Sequence, residues 1–256
     1  MDKRLLRSWQ RSKSYGVDPY KIDTFVLSKE QLRSRIDQRK TFYDTAVPFL
    51  QSILDCIGEE DYFVTLYDEE GYALKILGNN PISKIENKKD FFVDGCNRSE
   101  RFGGTFGIEL AAEARRPAIV IGYESYHTRN HNRFQICAPI FDENRVAGCI
   151  ALSGSVNNIV TFLEPLVDFA SKAITRQLSL QEYISKLSVT KNNLAIILKH
   201  YDGAVLLIDE QGYILQINQS VETLFKKTEE KIVGKQINLF INPAFFDPFT
   251  DKEPIY

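Results

Sequence analysis

Three groups of residues could carry chemistry in this chain. Cys137 and Cys149 lie on neighbouring stretches of strand character, where two thiols could approach closely enough for redox work. The remaining cysteines, Cys56 and Cys96, are distant, and no Cys-x-x-Cys pair occurs, which argues against a zinc ribbon or a thioredoxin-like site. Glu124, His127 and His131 form the second group. On a helix, histidines four apart could share a metal, but Tyr123 to Arg133 reads as a loop and also carries Arg129 and Arg133, which disfavour a cation. These side chains suit the polar rim of a small-ligand pocket better, or a plain surface loop. The third group is glycine-rich. Val233-Gly234-Lys235-Gln236 lacks the upstream glycine and the hydroxyl of a phosphate loop, and Arg101-Phe102-Gly103-Gly104-Thr105 lacks its lysine. No Ser–His–acid order and no paired carboxylates stand out. The chain therefore reads as a non-enzyme with no catalytic residue, metal or cofactor, and cysteine redox chemistry is the alternative.

Those residues sit in a 256-residue chain, 43% hydrophobic and 26% charged, of net charge −2. That length and composition allow one large or two small domains with real cores, and the charge gives no global attraction to nucleic acid or membrane. Four scattered cysteines point to a reducing cytosol. The charged N-terminus lacks the apolar run of a signal peptide, and no stretch approaches the roughly 18 apolar residues of a membrane span. A cytoplasmic protein without membrane contact is expected.

The elements follow from patterning. Residues 1–27 are basic and mixed, and Trp9 is expected to anchor them onto the domain that follows. Ser28 with Gln31 forms a capping box, and a helix runs from there, kinked or restarted at Pro48, to Gly58. Residues 62–67 and 72–77 form a hairpin; residues 105–114 form a short helix and 117–122 a buried strand. A second hairpin pairs 134–141 with 146–152. From about Asn158 to His200 the apolar positions Leu163, Leu166, Ala170, Ala173, Leu180, Ile184, Leu187, Leu194 and Leu198, with Gln177 and Lys191 between them, step by three and four. This is a coiled-coil rhythm and predicts a parallel homodimer. Residues 204–208 and 213–217 then form a third hairpin, and 218–225 a helix. The two outer hairpins echo each other: residues 68–76 and 209–217 are identical at six of nine positions.

Residues 203–240, with Asn218 opening a helix and Ile232-Val233-Gly234-Lys235 ahead of a turn, resemble the first half of a PAS domain. Residues 1–155 resemble the N-terminal sensor region of acetoin-catabolism-type, sigma-54-dependent transcriptional activators. The opening Ser8-Trp9-Gln10-Arg11-Ser12 through Gly16-Val17-Asp18-Pro19, then Gly104-Thr105-Phe106-Gly107-Ile108, then Gly122-Tyr123-Glu124-Ser125-Tyr126 with His131, Pro139-Ile140 and Ser153-Gly154 carry that resemblance. Phe106, Ser125 and Gln135 depart from the Asn, His and Cys usual there, which implies the same fold with a different ligand.

The resemblance implies an α+β chain in four parts: an N-terminal signature segment (1–27), a GAF-like sensor with an antiparallel sheet flanked by helices (28–157), a dimerising linker helix (158–200) and a partial PAS-like domain (201–256). It also implies a small-molecule effector, bound by Phe106, Tyr123, Glu124, Tyr126, His127 and His131 between sheet and covering loops. RNA polymerase with sigma-54 and DNA would be reached only through output domains missing from this chain. A protein-interaction platform without ligand is the alternative reading.

Overall fold

The computed structural model describes residues 2–21, 25–58, 62–79 and 92–242. Asn80, Pro81 and Phe91, and the prolines at 243, 248 and 254, lie outside them. The chain divides into two compact units, Met1–Glu182 and Tyr183–Tyr256.

The first unit is built on a five-stranded antiparallel sheet. Its strands are β1 (Tyr62–Asp68), β2 (Ala73–Gly78), β3 (Ala118–Ile121), β4 (Arg133–Asp142) and β5 (Arg145–Ser155), in the order β2-β1-β5-β4-β3. Both expected hairpins are present. The basic, mixed segment 1–27 contains a helix that its patterning does not announce, α1 (Lys3–Ser14). Helices α2 (Lys29–Gln38) and α3 (Lys40–Ile57) follow; α4 (Glu100–Gly103) and α5 (Gly107–Ala114) lie between β2 and β3. The Ser28 capping box is formed: Ser28 Oγ accepts from Gln31 N at 3.2 Å, and Gln31 Oε1 accepts from Ser28 N at 2.9 Å. The helix does not restart at Pro48, which α3 carries in its interior. The break falls at Arg39, whose φ of −118° and ψ of 30° leave the helical region. The 117–122 strand is not buried throughout either: β3 is an edge strand, and Ile121 is 40% exposed.

Strand alternation gives the sheet two different faces. On one, Val64, Leu66, Ile136, Ile140, Ile150 and Leu152 pack against α3 through Phe42, Ala46, Leu50 and Leu54. The long helix α6 (Leu163–His200) closes the same layer with Leu163, Val167, Ala170, Ile174 and Leu178. Leu163 and Ala170, expected on a dimer seam, are thus taken up by the domain's own core. On the other face lie Phe63, Thr65, Tyr67, Gln135, Cys137, Cys149, Ala151 and Ser153, buried under α5 and the segment that leads into it.

In the second unit, β6 (Leu206–Ile208) pairs with β7 (Ile214–Ile217), and α7 (Gln219–Phe225) follows; Ile214, Val221 and Ile232 make its small core. Asn218 caps α7 and ties the unit together. Its Oδ1 accepts from Val205 N at 3.0 Å and Val221 N at 3.3 Å, and its Nδ2 donates to Gly203 O at 2.7 Å. The sequence echo is also structural. Asp68 Oδ1 accepts from the backbone N–H groups of Glu70 and Tyr72, and Asp209 Oδ1 accepts from those of Gln211 and Tyr213. Gly71 and Gly212 take φ of 82° and 84°, which a Cβ would oppose. Each hairpin carries a register shift at the same place, between the residues two and one before its aspartate.

Candidate functional site

The second face of the sheet is the candidate site. Its floor is small in the middle, where Thr65, Ala151 and Cys137 lie side by side across β1, β5 and β4. Larger groups border it. Phe63 and Phe92 meet edge to face at 5.2 Å. The Arg98 guanidinium carbon lies 4.8 Å from the Phe92 ring centre and 5.9 Å from that of Phe106. Arg133, at the start of β4 on the same face, lies 5.9 Å from the Phe63 ring. Such cation–π contacts stabilise a charge without neutralising it.

Most of the unpartnered buried groups at this face are donors; the exception is Glu109 on α5, whose unpartnered Oε2 lies close enough to Cys137 and Cys149 to act on both thiols. Arg98 is only 3% exposed and its Nε has no partner. Among the described residues no carboxylate lies within ion-pair distance of Arg98 or Arg133. Gln135 Oε1 accepts from Gly107 N at 3.0 Å, which fixes its amide and leaves Nε2 buried without a partner. The Tyr67 hydroxyl and Thr65 Oγ1 are buried with no partner of hydrogen-bond geometry. Burial pushes the Tyr67 phenol well above its ordinary pKa and lowers that of Arg133, which stays charged all the same. Buried polar groups are nearly always satisfied, and an unpaired buried charge costs several kcal/mol.

The residues expected around the ligand separate. Phe106 lies on this face, half-buried, with the Arg98 side chain above its ring. His127 is buried. Its Nδ1 accepts from Arg129 N at 3.3 Å, and burial, reinforced by the Arg98 charge, holds its pKa below the ordinary value, so the ring is neutral. Tyr126 packs edge-on against Trp9 at 5.6 Å, and its hydroxyl donates to Val17 O at 3.2 Å. Glu124 turns back to its own chain, where Oε2 accepts from Ile121 N at 2.9 Å. Tyr123 is 79% exposed, and its ring lies tilted at 48° against His131, 4.5 Å between centres. Phe106 and His127 are thus near Arg98, and the other four face the loop or the N-terminal segment. Arg98, Tyr67 and Thr65 were missed by sequence reasoning. Arg98 stands in an aperiodic stretch and the other two alternate like ordinary strand residues; Gln135 alone carried a signal, as a departure from the family pattern.

Cys137 and Cys149 share the floor, both buried and free, and desolvation pushes both thiols up. A thiol so held is a poor source of the thiolate that redox chemistry uses. Among the described residues no group of three His, Cys, Asp or Glu is placed to hold a metal, and no helix is long and apolar enough to cross a membrane.

The N-terminal segment fastens the cover of this face. Trp9 Nε1 donates to Glu124 O at 2.9 Å, as its anchoring role requires. Ser8 Oγ meets Thr105 Oγ1 at 2.7 Å, and Arg11 forms a forked ion pair with the buried Glu100 at 2.5 and 2.8 Å.

The described residues make an α+β chain with a covered five-stranded antiparallel sheet, a long helix and a second small unit, and comparison with known proteins places this fold. A profile of the PAS fold matches residues 193–253. The acetoin dehydrogenase operon transcriptional activator AcoR of Bacillus subtilis is 32% identical over 153 residues, which are 59% of this chain and 25% of that protein. A signal-transduction and transcriptional-control protein of Clostridium beijerinckii is 22% identical over 242 residues, 92% of this chain and 38% of that protein. A chain of the crystal structure of the E. coli DhaR(N)-DhaL complex shares the fold with a TM-score of 0.83 at 19% identity, covering 96% of this chain and 85% of that one. This chain is therefore similar to the sensory region of transcriptional activators, and it spans less than two-fifths of the length of these curated relatives.

Proposed function

We propose that this chain is the sensory module of a cytoplasmic transcriptional regulator. A small metabolite binds on the covered face of the GAF-like domain (28–157), and occupancy is relayed through a dimeric helix (158–200) to the PAS-like part (201–256) and to output domains outside this chain, which would meet DNA and sigma-54 polymerase. The observation that carries the reading is the set of buried, unpartnered donors facing a floor of small side chains. A folded domain that keeps such groups gains by binding something that satisfies them. Similarity to AcoR supports the regulatory setting.

The relay rests on α6. Its outward face carries Phe169 (71% exposed), Leu180, Tyr183, Ile184, Leu187 and Leu194, with Leu166 and Ala173 half-buried before them. Steps of three and four along such a row suit a two-stranded coiled coil. A ligand shifts the helix pair only by its differential affinity for two arrangements.

Thermal unfolding of the chain, followed through the single Trp9, against a library of small metabolites tests the reading. At least one compound should raise the midpoint and alter hydrogen exchange along Leu180 to Leu194. Absence of any shift, or binding that leaves α6 exchange unchanged, would defeat it. The second reading, a docking platform for a partner protein, is favoured by one observation: the structure of like fold was solved as DhaR(N) in complex with DhaL. Capture of a partner by ligand-free chain, unaffected by filling the floor at Ala151, would select it.

A further inference from the structure

We infer that the ligand of this site is a small organic carboxylate, its acid group held by Arg98 and its apolar part laid on the Phe63, Phe92 and Phe106 rings. This deepens the sensor reading and rests on it.

The argument is one of donors and charge. Arg98 Nε and Gln135 Nε2 are buried and lack an acceptor, and the Tyr67 hydroxyl and Thr65 Oγ1, buried beside each other, make no well-formed hydrogen bond. Arg98 and Gln135 can only donate through these atoms, and the two hydroxyls can do so. A neutral alcohol or ketone offers one acceptor oxygen, but a carboxylate offers two oxygens with about four lone-pair sites in the plane that a guanidinium fork fits. The charge points the same way. Arg98 is buried between two aromatic rings with no carboxylate of the described chain beside it, and Arg133 adds a second unpaired cation on the same face. The neutral His127 contributes no positive charge. The Arg133–Phe63–Phe92–Arg98–Phe106 succession places a cation at each end of one aromatic pair and an apolar wall between them. That wall suits a short hydrocarbon or aromatic body better than a phosphate ester. The fixed amide of Gln135 supplies a directed donor for one carboxylate oxygen or for a neighbouring carbonyl.

The experiment compares matched pairs on the whole chain by calorimetry and thermal shift. Propionate, lactate, 2-oxobutyrate and benzoate are set against propionamide, lactamide, 2-oxobutyramide and benzamide, with inorganic phosphate as a further arm. The expected result is that at least one acid binds and its amide does not, with the affinity falling about 30-fold or more in Arg98→Gln and less in Arg98→Lys, which keeps the charge and loses the fork. Circular dichroism and Trp9 fluorescence establish that both variants fold, and Arg133→Gln, outside the tight cluster, supplies a milder loss should Arg98→Gln not fold. Equal binding of acid and amide, binding of phosphate alone, or full retention in both variants overturns the inference. So does failure of every acid. The sensor reading survives each of these results if a neutral metabolite from the wider library shifts unfolding and α6 exchange, and it falls only if none does.

Discussion

Replacing Glu109 with glutamine should stabilise the first unit at alkaline pH and leave it nearly unchanged in acid. Glu109 stands in the first turn of α5; its Oε1 accepts from Glu100 N at 2.6 Å, and its Oε2 is buried with no partner. Desolvation pushes its pKa up from 4.5 to about 8, against the backbone hydrogen bond, which lowers it. A raised carboxyl pKa means that the folded state holds the proton more tightly than the unfolded chain does. The stability this contributes is complete below about pH 4.5 and is lost as pH rises toward 8. At about 1.4 kcal/mol per pH unit the whole window amounts to at most about 5 kcal/mol. Arg11 already reaches Glu100 and Glu113 and can turn toward an ionised Glu109, so about 2–3 kcal/mol is the expected share. Glutamine keeps the acceptor for Glu100 N and has no charge to bury. Denaturant unfolding at a series of pH values from 5 to 9, read through Trp9, measures the gap between the two proteins. The variant's advantage should open steadily across the window and level off above pH 8. Asp68, raised to about 6 chiefly by burial, acts with the same sign in both proteins and cancels in the difference. A gap that stays constant within about 0.5 kcal/mol from pH 5 to 9 would refute the assignment of a buried, unpaired carboxyl.

Gly107→Ala would place a Cβ 2.8 Å from Cys137 Sγ and 3.0 Å from its Cβ, so overpacking should cost about 1–3 kcal/mol, and the double change with Cys137→Ala, which removes the closer contact, should recover part of it in thermal unfolding. Asn218→Ala removes the α7 cap and the bonds to Val205 and Gly203; a loss of about 2–4 kcal/mol in the second unit is expected, seen as faster amide exchange over 203–221. Phe169→Glu, on the exposed face of α6, should shift the chain from dimer to monomer in sedimentation velocity while leaving its circular dichroism intact, and an unchanged sedimentation coefficient would count against the helix pair.

The hairpins were legible because each announces itself locally by alternating apolar residues and an aspartate in the turn; in the two outer ones a glycine takes the positive φ, at Gly71 and Gly212, and in the middle one Glu143 takes it at 52°. The helix break was not. Pro48 looks like the disruptive residue, yet a proline forfeits one hydrogen bond within a helix that packing holds, whereas Arg39 leaves the helical region with nothing in its type to signal it. The α6 seam shows a different difficulty. The core-facing row Leu163, Val167, Ala170, Ile174, Leu178 and the outward residues Phe169 and Leu180 lie on one helix, with the half-buried Leu166 and Ala173 on the border between them. Spacing by three and four therefore draws residues from all of these and passes over Phe169. Arg98 was invisible for a third reason: burial of a charge is decided by the cover that tertiary structure builds over it, and residues near it in sequence carry no pattern.

That cover explains why the opening signature was readable in the sequence while its job was not. Ser8 and Ser12 are fully buried, which a polar, basic stretch does not suggest. Ser8 meets Thr105 just ahead of Phe106 and α5, and Arg11 holds Glu100 at the start of α4. Trp9 holds the carbonyl of Glu124, Val17 accepts from Tyr126, and the Pro19 carbonyl accepts both from Thr128 N at 2.9 Å and from its hydroxyl at 3.1 Å. The segment therefore grips both sides of the cover, the turn before α5 and the loop that carries His127, and none of these grips touches the Arg98 cluster itself. Tyr126 and Glu124 sit where a sensor's family pattern points to the pocket, but their bonds, with that of the anchoring Trp9, join cover to strap. What they determine is whether Arg98, Gln135, Tyr67 and Thr65 stay out of water. Only while they do is an unpaired guanidinium costly to the fold.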